Sequence, residues 1–180
     1  MTNIVTDNKI AVMECKTLTV DDTIVLGRQL GRFMIQMAQE SRPLCVALIG
    51  DLGTGKTHFS QGVAEGFGVT EEVTSPTFAL MNTYETSNGT LYHFDVYRLD
   101  DELELENIGF GEFTEDTLSI VEWADKFPDG LPLEVLEITL TALADGGRQS
   151  LWRTSELSEA ELIEIGGCLL YTSDAADELD

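Results

Sequence analysis

The sequence predicts an α/β fold of three layers, a mixed central sheet between helices. Three observations carry this. Leu44-Cys45-Val46-Ala47-Leu48-Ile49 is a continuous apolar run bounded by Pro43 and Gly50, the pattern of a strand buried on both faces. A glycine-rich turn and an amphipathic segment follow it directly. Two hairpin signals, Ser87-Asn88-Gly89 and Asp145-Gly146-Gly147, lie between β-like segments, so the sheet is mixed and not purely parallel.

The elements follow in order. Thr19-Val20-Asp21-Asp22 reads as a helix entry with acids in the first turn, and Leu26, Leu30, Phe33 and Met37 then recur at helical spacing. After the strand and turn at 44–55, a helix is expected over 56–67, closed by Gly66 and Gly68. Residues 76–85 and 90–99 read as the two strands of the first hairpin. Residues 101–107 read as a short acidic helix, and 118–121 as a second buried strand ending at Glu122-Trp123. Residues 133–143 alternate, and 149–154 return as their partner. A helix over 158–165 completes the pattern.

The chain has 180 residues and is 43% hydrophobic, enough for one compact domain, expected over 1–167, and too short for two of ordinary size. Residues 168–178, CLLYTSDAADE, break the preceding pattern and read like the translation of a transposase sequencing adapter. Residues 168–180 are therefore expected to be a non-native tail. No apolar run approaches the roughly 20 residues of a membrane-crossing helix. The start, MTNIVTDNKIAVMECK, lacks the basic and apolar regions of a secretory signal, so the cytoplasm is the expected compartment. Cys15, Cys45 and Cys168 show no metal-binding spacing and are expected to be free thiols.

Acids outnumber bases 33 to 10, for a net charge of −23. Binding to nucleic acid depends on Lys and Arg displacing counterions from phosphate, so direct binding to tRNA or DNA is not expected. A role in an RNA pathway would run through a protein partner.

The chemistry concentrates in Gly50-Asp51-Leu52-Gly53-Thr54-Gly55-Lys56-Thr57, which satisfies G-x-x-x-x-G-K-[ST]. Glycines let the backbone close around phosphate. The loop amides and the following helix N-terminus present partial positive charge to it. Lys56 is placed to reach the terminal phosphates of ATP, and the Thr57 hydroxyl to join the shell of a Mg²⁺ ion. His58 follows as a helix residue at the edge of this nucleotide-binding set. The second acid of such a site, which holds Mg²⁺ or its waters, belongs on a neighbouring strand end, and two residues qualify as metal ligands. Glu122 ends an apolar strand, and Asp95 lies in His93-Phe94-Asp95-Val96-Tyr97-Arg98, where alternation places His93, Asp95 and Tyr97 on one face. Arg98 is either a structural partner of Asp95 or a charge stabiliser. Ser75-Pro76-Thr77-Phe78 is a strand entry with two hydroxyls, either a bland turn or a switch segment that senses the terminal phosphate.

Together these blocks resemble the TsaE (YjeE) family of small bacterial ATPases in tRNA threonylcarbamoyladenosine synthesis. The matching residues are the eight-residue loop, Ser75-Pro76-Thr77-Phe78, His93-Phe94-Asp95-Val96-Tyr97-Arg98-Leu99 and Val121-Glu122-Trp123, across residues 18–153. The resemblance implies a P-loop NTPase-like fold. It implies that Lys56 and the loop amides hold ATP, that Thr57 and Glu122 ligate Mg²⁺, and that Asp95 beside the metal is needed for hydrolysis. On the same basis Ser75, Pro76 and Thr77 act as a switch-like segment, and Trp123 lies next to the active site. It further implies TsaB and TsaD as partners, with tRNA met only indirectly and turnover weak without them. His58 stands where the family commonly has Thr.

Other functions compete. Small-molecule kinases of this class surround the transferred phosphate with arginines, and here only Arg98 falls in a candidate block. A GTP switch requires N-K-x-D, and Asn8-Lys9-Ile10-Ala11, which precedes the loop, lacks the Asp. An ATP-dependent binding module with negligible turnover leaves no distinguishing sequence mark.

Overall fold

The structure is a computed structural model that describes residues 9–167 and 169–171. Among these residues eight strands form one sheet. They are β1 (Ala11–Thr17), β2 (Leu44–Ile49), β3 (Met81–Thr86), β4 (Gly89–Asp95), β5 (Leu118–Glu122), β6 (Val135–Ala142), β7 (Arg148–Thr154) and β8 (Leu169–Tyr171), in the spatial order β3-β4-β5-β2-β6-β7-β1-β8. The four central strands β4, β5, β2 and β6 run parallel, and β3 on one side and β7, β1 and β8 on the other are antiparallel to their neighbours. The helices are α1 (Val20–Gln39), α2 (Lys56–Phe67), α3 (Glu102–Asn107), α4 (Phe110–Thr114) and α5 (Glu159–Gly166).

Alternation along β2 shows why there are three layers. Leu44, Val46 and Leu48 enter a core shared with Leu30 and Met34 of α1, Phe59 and Val63 of α2, and Leu162 of α5. Cys45 and Ala47 point to the other face, where Phe110, Phe127 and Leu105 cover the sheet. A continuous apolar run is required because both faces of this strand are dry.

Two helices position the site. Thr19 caps α1 through a capping box with Asp22. α1 then packs against α2 at very short range. A Cβ on Gly27 or Gly31 would lie 2.4 or 2.1 Å from the carbonyl oxygens of Phe59 and Val63. One on Gly62 or Gly66 would lie 2.2 or 2.1 Å from those of Ile24 and Arg28. The pairs advance together along both chains, so the helices run parallel and their N-termini lie at the same end, the end where the parallel strands finish.

Several expectations are corrected. The strand expected over 76–85 begins only at Met81. Residues before it form a turn closed by Leu80 N–H donating to Pro76 O at 2.7 Å, with Leu80 in the left-handed region. The strand expected over 90–99 ends at Asp95, so Tyr97 leaves the strand face it was expected to share with His93 and Asp95. β1 and α4 were not anticipated. Cys45 is a free, buried thiol that burial pushes up to about 12, but Cys15 is disulfide-bonded, against the expectation of three free thiols. The proposed non-native tail at 168–180 lies outside the described residues except for the backbone of β8, which pairs with β1.

Candidate nucleotide site

Ligands of open α/β sheets bind beyond the carboxyl ends of the parallel strands. Here those ends carry the chemistry in spatial order. β4 ends at Asp95, its neighbour β5 ends at Glu122 directly opposite Asp95, and β2 runs out into Gly50. A cavity of about 400 Å³ opens there, with the starts of α1 and α2 and the β6–β7 turn on its walls.

The loop is built to receive an anion. Gly55 precedes α2 with φ 101°, a left-handed conformation that suits glycine, and turns the chain into the helix. α1, α3 and α5 are each capped by the side chain of Thr19, Asp101 or Ser158, whereas α2 has no side-chain cap. Its first amides are thus available to phosphate oxygens. Lys56 is 5% exposed, and its ammonium donates to the carbonyls of Gly50 and Asp51, the latter at 2.8 Å. It also sits 3.9 Å from the centre of the Trp123 ring. Burial holds the Lys56 pKa below that of an ordinary lysine, partly offset by Glu122, Asp125, Asp51 and Asp95. Trp123 takes φ 63°, an uncommon conformation for an aromatic residue. The chain turns sharply there as it leaves β5.

Thr57 and Glu122 are brought together: the Thr57 hydroxyl donates to Glu122 Oε1 at 3.0 Å. A hydroxyl and a carboxylate form an oxygen donor set suited to a hard cation such as Mg²⁺. Among the described residues no three or more His, Cys, Asp or Glu side chains cluster to hold a metal. A cation here would complete its shell with phosphate and water, which fits Mg²⁺.

Asp95 lines the same cavity but bonds a different set of partners. Its Oδ2 accepts from Ser75 Oγ at 2.6 Å and Thr77 Oγ1 at 3.2 Å, and its Oδ1 from the Tyr97 amide at 3.0 Å. The Ser75-Pro76-Thr77 segment is therefore tied to the strand end by two hydroxyls. Arg98 does not take that role; its guanidinium stacks 3.8 Å from the centre of the exposed Phe78 ring. His58 lines the cavity from the first turn of α2, as do Leu52, Gly53 and Gly55 of the loop. Gly50, Asp51 and Thr54 shape the loop from behind, with Thr54 Oγ1 donating to Asp51 O at 2.8 Å.

One site residue escaped the sequence reading. Arg148, at the start of β7, donates Nε to Thr54 O and Nη2 to Gly53 O, both at 3.0 Å, and Nη1 to Gly146 O and Gly147 O. It ties the phosphate loop to the β6–β7 turn. The only signal available was the Gly146-Gly147 turn just before it, and nothing local joins that turn to residues 53–54.

The family model for "Threonylcarbamoyl adenosine biosynthesis protein TsaE" matches residues 18–150. The chain belongs to the TsaE family. It is 38% identical over 138 residues to the tRNA threonylcarbamoyladenosine biosynthesis protein TsaE of Treponema pallidum, covering 76% of this chain and 97% of that one. It is 43% identical over 105 residues to the protein of the same name from Bacillus subtilis, covering 58% and 65%. The crystal structure of Bacillus subtilis YdiB superposes with a TM-score of 0.64 at 24% identity, over 96% of this chain and 99% of that one, and shows the shared fold. That fold is of the P-loop NTPase type, as expected. All four blocks of the resemblance fall inside the matched region, and the TsaE family places the chain in tRNA threonylcarbamoyladenosine biosynthesis.

Proposed function

We propose that this chain binds Mg–ATP in the cavity at the strand ends, hydrolyses it to ADP and phosphate, and thereby regulates a TsaB–TsaD complex in the cytoplasm. The observation that carries this reading is the meeting of Thr57 and Glu122 beside Lys56, at the mouth of an uncapped helix N-terminus. Loop amides and Lys56 would hold the phosphates. Thr57 and Glu122 would hold Mg²⁺, which neutralises phosphate charge and polarises the reacting group. The nucleoside would extend toward Thr19 and Thr23 at the start of α1 and Arg148 across from them.

Asp95 is engaged by Ser75, Thr77 and the Tyr97 amide, and movement of that segment would free more of its carboxylate to orient water. This supports slow turnover by the isolated chain and acceleration by a partner. No helix among the described residues is long and apolar enough to cross a membrane, and the net charge of −23 opposes direct contact with tRNA. The kinase reading is disfavoured: among the described lining residues Arg148 is the one arginine, and its guanidinium is occupied by four carbonyls. Turnover of radiolabelled ATP tests the assignment. Label released as inorganic phosphate supports it, and label on a metabolite supports the kinase. Pull-down of TsaB and TsaD that is indifferent to nucleotide would contradict the regulatory role.

A further inference from the structure

Glu122 has two oxygens and two different partners. Oε1 accepts from Thr57 on the cavity side, and Oε2 lies 2.6 Å from Nε2 of His93. Both residues are buried, His93 at 0% and Glu122 at 1% exposure. An ionised carboxylate has no proton to give, so the ring nitrogen donates. On the other side of the ring, Nδ1 lies 3.5 Å from the Tyr84 hydroxyl, and that hydroxyl accepts from Asn82 Nδ2 at 3.3 Å. With the amide on its oxygen, the tyrosine is free to aim its proton at Nδ1. The chain of bonds then runs one way, from Asn82 through Tyr84 and His93 to Glu122.

We propose that His93 is a positioning residue for the cation–nucleotide site. Its Nε2–H anchors Oε2 so that Oε1 stays turned toward Thr57 and the cation, and Tyr84 selects the tautomer that does this. A glutamate side chain with one oxygen untethered can rotate about its terminal torsion, and a buried carboxylate that loses a donor is costly. Partners of this kind behind a metal ligand typically contribute ten- to a hundredfold to metal affinity. The proposal rests on the magnesium–nucleotide reading above.

The test is a magnesium titration of a fluorescent ADP analogue on the native chain, His93→Phe, His93→Gln and Tyr84→Phe, each checked for folding by circular dichroism. The readout is the ratio of nucleotide affinities with and without Mg²⁺. His93→Phe keeps a ring but loses the donor and should lower that ratio about tenfold. His93→Gln, which retains an N–H near the same place, should restore most of it. Tyr84→Phe should lower it by a smaller factor. An unchanged ratio in folded His93→Phe, or no rescue by Gln, overturns the proposal. Should His93→Phe fail to fold, nitrogen-15 spectra of the native chain decide. The chain has two histidines, so His58→Gln assigns both rings. The expected spectrum has the His93 proton on Nε2, and a bare Nε2 overturns the proposal. A native chain that binds no nucleotide at all would sink the underlying reading instead.

Discussion

The Thr57 hydroxyl and the Glu122 carboxylate meet at 3.0 Å across 65 residues of sequence. Parallel pairing of β2 with β5 brings this about, since Leu48 lies opposite Glu122 and both strands finish at the same edge. Glu122→Ala should therefore cut ATP hydrolysis more than about tenfold, the scale of losing metal or charge stabilisation. Nucleotide binding measured in EDTA should persist. Phosphate-release assays beside fluorescence titrations separate the two effects, and equal turnover in native and variant chains would contradict the assignment.

Lys56→Ala should abolish tight ATP binding, because its ammonium is the side-chain cation in the loop. Burial lowers the Lys56 pKa in the free chain, and bound phosphate would favour the charged form. Nucleotide binding then takes up a proton once the free lysine begins to deprotonate. Affinity should fall as pH rises in the alkaline range, starting below the ordinary lysine pKa. The sign for folding is opposite. The unfolded chain holds more protons on Lys56 between the lowered pKa and the ordinary lysine value of 10.5, so this group's contribution to stability rises with pH in that window. Isothermal titrations at several alkaline pH values check the first statement, and an affinity that increases with pH would contradict it.

Arg148→Ala should weaken ATP binding about three- to tenfold by freeing the loop carbonyls of Gly53 and Thr54, a loss on the scale of one ordinary hydrogen bond. The hairpin itself should survive. Limited proteolysis around residues 51–55 should become faster in the nucleotide-free variant.

Much of this was legible in the sequence, for reasons that differ by element. The phosphate loop is local: one strand, one turn and one helix, each with its own pattern, so Gly50 to Thr57 could be read without neighbours. The helix entry at Thr19 was visible for the same reason. β1 was not. Its residues alternate imperfectly in burial, and its partner β7 comes more than a hundred residues later. Tyr97 was placed on a strand face because alternation continues past Asp95 in the sequence, whereas the Tyr97 amide turns back to bond the Asp95 carboxylate. The pairing of His93 with Glu122 and of Arg148 with the loop depends on which strands become neighbours, and no local pattern encodes that. The roles of Asp95 and of Ser75 came separately from resemblance to the family, and the structure adds the bonds that join the two.

The helix pair supplies a prediction about stability. A methyl group on Gly31 or Gly66 would sit about 2.1 Å from a backbone carbonyl of the facing helix, which no rotamer can relieve. Gly31→Ala should cost about 1–3 kcal/mol, the range for overpacking, and should lower Tm by several degrees. Because the same contact sets the start of α1 beside the loop, ATP affinity should fall in the variant even where it is folded. Thermal melts and titrations on one preparation test both parts.

The central claim is that an uncapped helix N-terminus, Lys56 and the Thr57–Glu122 pair together receive a polyphosphate tail with its cation. Calorimetric titration of the folded chain with Mg–ATP tests it most directly. The account predicts saturable binding of one nucleotide per chain that weakens when magnesium is chelated. A flat titration, with neither heat nor saturation on demonstrably folded protein, would contradict it.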